Sequence, residues 1–138
     1  DPFYKPAPGL DAVDTAAWPN RIEEADFLVV TCALTPQNRH VIDAALLARC
    51  KRGIRLVNVS RGPLIDEAAL AGALASGHVH SAALEVAEIE PVPAESPLRG
   101  FGDRVLFGSH NASNTVDAVN RTSRKAIELL FGFLNPKP

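Results

Sequence analysis

The chain has 138 residues, 46% of them hydrophobic, which supports one domain with a real core and leaves too little length for two. A formal net charge of -2 and a pI near 6.1 provide no basic surface for a phosphate backbone, so nucleic acid is excluded as an expected partner. The apolar stretch 27–34 is far shorter than the roughly 18 residues that span a bilayer, and no charged-then-apolar leader precedes it, so we expect no membrane partner and a cytoplasmic location.

The first part of the chain is predicted to form a loop, a short helix and a strand. Residues 1–19 contain four of the eleven prolines and little periodicity, which indicates a connecting loop. Asn20 followed by Glu23 has the spacing of a capping box and predicts a short helix over 21–25. The apolar run 26–32 then predicts a buried strand.

A helical region and a second strand come next. Thr35-Pro36 has the cap-then-proline order of a helix start. Asp43 is placed to cap a second helical turn over 44–50. The apolar run 54–59 follows almost at once and predicts the second strand.

The next helix is predicted to begin at Asp66, which is a favourable capping residue, and to end at Gly77. Its apolar positions share one face: Leu70, Ala73 and Leu74. A strand is predicted over 81–86, and a proline-rich loop separates it from a strand over 105–108.

A long helix is predicted at the end of the chain, over 115–134. Its apolar residues form one stripe: Val119, Ala126, Leu129, Leu130 and Phe133. The full order is strand, helix, strand, helix, strand, strand, helix, which favours an α/β fold with a doubly wound parallel sheet and helices on both faces.

Three ionisable residues follow predicted strands at the edge where such folds gather functional loops: Arg61, Glu90 and His110. We therefore expect them to meet in one cleft. A guanidinium grips a carboxylate through two parallel hydrogen bonds, and an imidazole backed by a carboxylate exchanges protons near neutral pH. This set suits a small 2-hydroxy or 2-keto acid.

The segments "NVSRGPLIDEAALAGALASGHVHSAALEVAEIEP" and "VLFGSHNASNT" resemble the cofactor domain of the D-isomer-specific 2-hydroxyacid dehydrogenases, the family that includes phosphoglycerate dehydrogenase. The resemblance covers about residues 20–134. It implies a Rossmann-type domain in which Arg61 holds the substrate carboxylate, His110 is the acid/base, and Glu90 orients the histidine. It also implies hydride transfer between a nicotinamide cofactor and a D-2-hydroxy acid, 3-phosphoglycerate being one candidate, and a homodimer in the full-length protein.

The resemblance further implies NAD as the cofactor. Asp1 corresponds to the acid that binds the adenine ribose, and a carboxylate there favours NAD over NADP. Val59 and Glu85 would hold the nicotinamide carboxamide. The remaining cofactor contacts that the resemblance implies are Thr31, Cys32, Ala33, Leu34, Ser60, Arg61, His110, Ala112 and Ser113.

Some residues depart from the pattern of the family. The family usually has aspartate where this chain has Glu85, and threonine and proline where it has Gly108 and Ser109. No strand with a G-x-G-x-x-G turn precedes Asp1, so we expect a partial dinucleotide-binding domain over 1–138, without its first strand-helix-strand segment and inactive alone. Two alternatives stay open: an NAD(H)-sensing protein similar to the corepressors of the same family, and an inactive structural fragment.

No metal site is predicted. His78 and His80 have ligand-like spacing, but no third ligand is evident. Cys32 and Cys50 lack the density of a disulfide framework, and we expect both to be reduced, buried and structural.

Overall fold

A four-stranded parallel sheet forms the centre of the computed structural model, which describes Gly9 and residues 14–135. The strands are β1 (Phe27–Val30), β2 (Ile54–Asn58), β3 (Val79–Leu84) and β4 (Val105–Phe107), in the spatial order β1-β2-β3-β4. The α-helices are α1 (Ala44–Arg49), α2 (Glu67–Ala75) and α3 (Val116–Leu134). This order of strands and helices confirms the predicted α/β fold. Asp1 and most of the predicted loop 1–19 lie outside the described residues.

The two short helices begin at the predicted capping residues. The side chain of Asp43 accepts a hydrogen bond from the Leu46 N–H at 2.8 Å, and that of Asp66 accepts one from the Ala69 N–H at 3.0 Å. Each bond satisfies one of the free N–H groups at a helix start. Both helices therefore begin directly after their acid, as predicted.

The core lies on one face of the sheet, between the strands and the two short helices. Alternate strand residues point into it: Leu28, Val30, Ile54, Leu56, Ala82, Leu84 and Val105. α1 contributes Leu46 and Leu47, and α2 contributes Leu70 and Leu74. On the opposite face Phe27, Val29 and Leu106 remain exposed. β1 is therefore buried on one face only, whereas 26–32 was predicted to form a buried strand.

α3 begins at the predicted place, because the Thr115 hydroxyl accepts a hydrogen bond from the Ala118 N–H at 3.1 Å. Its predicted apolar stripe is present. However, no residue of α3 is buried among the described residues, and Leu130 and Phe133 are exposed by 55% and 81%. No helix in the described part of the chain is both long and apolar enough to cross a membrane.

Of the two helix predictions in the first part of the chain, one was confirmed only in part and the other was wrong. The segment 21–25 forms only a 3-10 turn, Ile22–Glu24, and Arg21 with a φ of 62° takes the capping position predicted for Asn20. Thr35-Pro36 begins a series of turns and no helix. There the side chain of Asn38 accepts a hydrogen bond from the Thr35 N–H and donates one to the Ala33 carbonyl. These two bonds stabilise a turn at the place where a helix was predicted.

Three further boundaries or environments differ from the predictions. The strand predicted over 81–86 is β3, which begins and ends two residues earlier, so the loop that follows it begins at Glu85. Residues 97–104, predicted as loop, form the 3-10 segment Pro97–Arg104. Cys50 is buried as predicted, whereas Cys32 is exposed because β1 ends at Val30 and leaves it in a loop.

Candidate active site

The turn that carries Arg61 is shaped by a buried asparagine at the end of β2. Asn58 is fully buried, and its side-chain amide donates to the Arg61 carbonyl at 2.9 Å. Its amide oxygen accepts a hydrogen bond from the Ser60 N–H at 3.0 Å. Since a buried amide without partners would be costly, these bonds fix the course of the chain from Asn58 to Arg61.

Gly62 allows this turn to pack against the loop that follows β3. A Cβ atom at position 62 would lie 1.9 Å from the carbonyl oxygen of Ala87 and 2.4 Å from the nitrogen of Glu88. Only glycine permits so close an approach of two backbones. The Arg61 turn and the loop that carries Glu90 are therefore held side by side.

Glu90 and His110 form the central pair of the site. The Nδ1 atom of His110 lies 2.7 Å from Oε2 of Glu90, and Oε1 of Glu90 accepts a hydrogen bond from the Ala87 N–H at 3.0 Å. These two hydrogen bonds, that of His110 first, lower the pKa of the Glu90 carboxyl below its usual range, and the Arg61 charge adds to the effect. The carboxylate form is thus favoured, which suits a residue that orients an imidazole.

His110 lies in the loop after β4 with a left-handed backbone, φ 56°. Its N–H donates to the Glu85 carbonyl at 3.0 Å. Because Nδ1 is engaged by Glu90, Nε2 is the ring nitrogen that remains for a substrate, and the side chain is 48% exposed. The pair lines an open cleft of about 370 Å³ together with Glu85, Arg99 and Gly108.

Arg61 is close to this pair without contacting it. Its guanidinium donates to the Ser60 carbonyl at 2.7 Å and is accessible to solvent. Its charge acts on Glu90 across the cleft edge, although the side chain is not part of the cleft wall. The structure thus brings Glu90 and His110 together, while the Arg61 guanidinium is held at the Ser60 carbonyl beside them.

A second set of residues, not predicted from the sequence, supports the loop of Glu90. Glu88 lies in that loop, where its N–H donates to Oε1 of Glu67 at 2.7 Å and its carboxylate contacts Nε2 of His40. Burial, followed by the nearby Glu88 charge, raises the pKa of Glu67. The structural roles of Asn58 and Gly62 were not predicted either. The signal for Asn58 was a polar residue at the end of an apolar strand, and the signal for Gly62 was a glycine directly after the arginine.

The predicted cofactor contacts in the described residues lie along the carboxyl ends of β1 and β2 and near His110. Most of them are exposed: Thr31, Cys32, Ala33 and Leu34 after β1, Val59 after β2, and Ala112 and Ser113 before α3. Ser60 is buried, and its hydroxyl donates a hydrogen bond to the Cys32 carbonyl. Leu34 is 38% exposed and Val59 50%. Exposed apolar side chains at this edge fit the flat rings of a dinucleotide.

The fold and the site define an α/β domain of the nucleotide-binding type, with a carboxylate–imidazole pair at the ligand-binding edge of its sheet. The sequence model of the family described as D-isomer specific 2-hydroxyacid dehydrogenase, NAD binding domain, matches residues 4–112. The chain belongs to this family. The resemblance found in the sequence is thereby confirmed, and so is its NAD-binding character at the level of the family.

Named relatives agree with this assignment. Glyoxylate/hydroxypyruvate reductase B of Yersinia pestis is 47% identical over 113 residues, which are 82% of this chain and 34% of that protein. The structure of a glyoxylate reductase from Paecilomyes thermophila has a TM-score of 0.76 at 31% identity, covering 83% of this chain and 34% of that chain. A D-isomer specific 2-hydroxyacid dehydrogenase from Xanthobacter autotrophicus Py2, in complex with NADPH and MES, has a TM-score of 0.62 at 45% identity, covering 64% and 29%. The chain spans about a third of the length of the curated relatives it matches.

Proposed function

We propose that this chain is the dinucleotide-binding part of an oxidoreductase that reduces small 2-keto acids to D-2-hydroxy acids. The observation that carries the proposal is the contact of 2.7 Å between Nδ1 of His110 and the Glu90 carboxylate, beside the Arg61 turn. An oriented imidazole and a solvent-accessible guanidinium are what a keto acid needs, since the reaction protonates an oxygen next to a carboxylate. The names of the relatives favour glyoxylate and hydroxypyruvate as substrates.

In the proposed reaction, Nε2 of His110 donates a proton to the carbonyl oxygen at C2 of the keto acid. A reduced nicotinamide held by this domain would supply the hydride for C2, so that one hydride and one proton convert the ketone to the alcohol. Glu90 holds the imidazole by Nδ1 and so directs Nε2 toward the substrate. The ring then regains a proton from water, to which its side chain is 48% exposed.

Arg61 holds the substrate carboxylate in this proposal. Its side chain would exchange the Ser60 carbonyl for the two carboxylate oxygens, which form stronger, charge-assisted hydrogen bonds with a guanidinium. The bidentate contact sets the carboxylate, and with it the neighbouring carbonyl, at a fixed distance from His110. Arg61, Glu90 and His110 then have the roles that the sequence predicted for them.

NAD(H) is the proposed cofactor, held along the carboxyl ends of β1 and β2. Thr31, Cys32, Ala33 and Leu34 would border the adenine side, and Val59 with Ser60 the nicotinamide side, with Ala112 and Ser113 near the histidine. Since Asp1 lies outside the described residues and one relative was solved with NADPH, the choice between NADH and NADPH is an outcome of the experiment. A cytoplasmic location and a homodimer stay predictions, and light scattering of the full-length protein measures the second.

The proposal is tested by steady-state kinetics of the full-length protein with glyoxylate, hydroxypyruvate and phosphohydroxypyruvate, each with NADH and with NADPH. We expect turnover with the first two keto acids, and a preference for the third would instead support 3-phosphoglycerate as the substrate. His110→Asn should lower kcat by about 10²- to 10⁴-fold and leave the Kd of the dinucleotide within a few-fold. Dinucleotide binding without turnover on any keto acid would overturn the proposal in favour of an NAD(H)-sensing protein.

A further inference from the structure

The loop that carries His110 is tied to a single residue at the end of β3, Glu85. The N–H of His110 donates to the main-chain carbonyl of Glu85 at 3.0 Å. The next two N–H groups, those of Asn111 and Ala112, both donate to Oε1 of Glu85, at 2.5 and 2.7 Å. Three consecutive N–H groups of the histidine loop therefore end on one residue.

Glu85 is itself anchored to the sheet. Its N–H donates to the Asn58 carbonyl at 3.0 Å, which continues the pairing of β2 with β3. The residue is only partly exposed, and a carboxylate that accepts main-chain N–H groups forms charge-assisted hydrogen bonds. The histidine loop is thus fixed to the central sheet by charge-assisted contacts.

The backbone of His110 requires such contacts. A φ of 56° is uncommon for any residue other than glycine, and it persists only where neighbouring interactions hold it. The hydrogen bonds from Asn111 and Ala112 act directly after the left-handed residue. Glu90 orients the imidazole ring, whereas Glu85 fixes the backbone from which that ring extends.

Gly108 makes room for the Glu85 side chain. A Cβ atom at position 108 would lie 2.0 Å from Oε2, 2.8 Å from Cδ and 2.8 Å from the main-chain Cα of Glu85. The observed conformation of the carboxylate therefore requires glycine at 108. The glutamate and the glycine form one fitted unit.

We propose that Glu85 is a positioning residue for His110, with Gly108 as its obligatory partner. This inference rests on the proposed function, because it assigns a role in the reaction of His110. Oε1 is occupied by the two N–H groups, so the carboxylate serves the histidine loop first, and only Oε2 remains for a nicotinamide carboxamide. Glu85 was predicted from the sequence as a contact of the cofactor alone.

The kinetic test uses the full-length protein with glyoxylate and NADH or NADPH, and compares Glu85→Ala with Glu85→Gln. Glutamine keeps an oxygen that accepts both N–H groups, whereas alanine removes it. We expect kcat to fall by about 10- to 100-fold in Glu85→Ala, with the Kd of the dinucleotide within about threefold, and Glu85→Gln to recover most of kcat. Glu95→Ala, which removes an exposed acid outside the cleft, is the matched control. A large rise in the Kd with unchanged kcat would overturn the proposal, since Glu85 would then act on the cofactor.

A second measurement does not depend on turnover. Hydrogen exchange of the peptide that contains residues 108–113, followed by mass spectrometry, should be faster in Glu85→Ala and unchanged in Glu85→Gln and Glu95→Ala. Equal exchange in Glu85→Ala and the parent protein would overturn the proposal even if kcat falls. A protein with no keto acid reductase activity would overturn the proposed function, whereas the exchange measurement would still decide whether Glu85 holds the loop.

The fit between the two residues is tested by Gly108→Ala. We expect it to accelerate exchange in the same peptide, and to add less to the effect in a Glu85→Ala background, because the contact with the carboxylate is then gone and only the 2.8 Å contact with the Cα atom of residue 85 remains. If the changes in exchange caused by Gly108→Ala and Glu85→Ala were fully additive in the double variant, the two residues would not be coupled as proposed. Gly72→Ala, where the added Cβ contacts nothing within 4 Å, is the matched glycine control.

Discussion

Glu90 accepts hydrogen bonds from two directions, one from the histidine ring and one from its own loop at Ala87. The first contact belongs to the proposed chemistry and the second to the local fold. The pair of residues was predicted from the sequence because both follow predicted strands of a parallel sheet. The Ala87 contact was not predicted, since it depends on how the chain turns between β3 and Glu90.

The pKa of Glu90 should respond to the loss of His110. Because the hydrogen bond from His110 is the first cause of the lowered pKa, His110→Ala should raise this pKa toward its usual value, and the Ala87 N–H should retain part of the lowering. NMR titration of the side-chain carboxyl measures this pKa.

The lowered pKa of Glu90 also makes the stability of the protein depend on pH. The contact with His110 stabilises the folded protein above the unfolded pKa of Glu90, and this contribution is lost as the pH falls through the folded pKa.

The control for this titration is Asp26, whose pKa is lowered mainly by its hydrogen bond with Lys51. Its titration should be the same in the parent protein and in His110→Ala. If Glu90 also titrates identically in the two proteins, the contact with His110 does not exist in solution.

Arg61 should not tolerate lysine. In Arg61→Lys a single ammonium replaces the planar guanidinium, so the two parallel hydrogen bonds to the substrate carboxylate are lost. We expect kcat/KM for a keto acid to fall by about 10²-fold or more, with an unchanged Kd for the dinucleotide. Steady-state kinetics and a fluorescence titration measure the two effects. Arg52→Lys, at an exposed arginine that donates to the Ser76 carbonyl outside the cleft, should have normal kinetics.

At the scale of elements, the helix starts were predictable where one side chain sets them. Asp43, Asp66 and Thr115 each accept the N–H three residues later, a purely local contact that sequence spacing encodes. Thr35-Pro36 has the same appearance, but the side chain of Asn38 competes for the backbone and forms turns. A local capping pattern therefore fails to predict a helix where a nearby side chain forms hydrogen bonds with the backbone that stabilise a turn instead.

The contact between the Arg61 turn and the loop after β3 depends on the missing side chain of Gly62. Gly62→Ala would place a Cβ atom 1.9 Å from the Ala87 carbonyl oxygen, so one of the two loops has to move. We expect the free energy of unfolding in urea to fall by about 1–3 kcal/mol, together with a loss of activity, since Arg61 and Glu90 move apart.

The loss of stability expected for Gly62→Ala comes from the close contact between the two loops, and not from the replacement of a glycine by alanine in general. Gly72 lies in α2 and a Cβ there meets nothing within 4 Å, so Gly72→Ala should stabilise the protein by about 0.5–1 kcal/mol. Equal stability changes in the two variants would contradict the proposed role of Gly62.

For the whole molecule, the alternation of strands and helices predicted the fold, because neighbouring parallel strands are joined by crossover connections that usually contain a helix. The distribution of burial was not predictable in the same way. β1 and α3 carry apolar residues that the sequence marks as core, yet Phe27, Leu130 and Phe133 are exposed in the described residues. Hydrophobic periodicity identifies an apolar face, whereas its burial depends on what packs against it.

Two leucines with the same chemistry should therefore respond differently in the 138-residue chain. Leu74 is fully buried beneath the sheet, so Leu74→Ala should cost about 2–5 kcal/mol. Leu130 on α3 is 55% exposed, and Leu130→Ala should cost less than about 0.5 kcal/mol. Urea unfolding of both variants measures the difference, and equal losses would mean that α3 packs on the core.

The fit of Glu85 against Gly108 restricts the order in which the two positions can change. A side chain that appears at 108 first meets the carboxylate at 2.0 Å, whereas a shorter acid at 85 first only gives up its hold on the histidine loop. Of the two mutational paths to a pair with a side chain at 108, the one that begins at 85 meets the smaller obstacle, since it leaves only the 2.8 Å contact with the Cα atom of residue 85. Laboratory evolution that varies one position at a time should therefore rarely recover a side chain at 108, and libraries that vary both positions together should recover one more often.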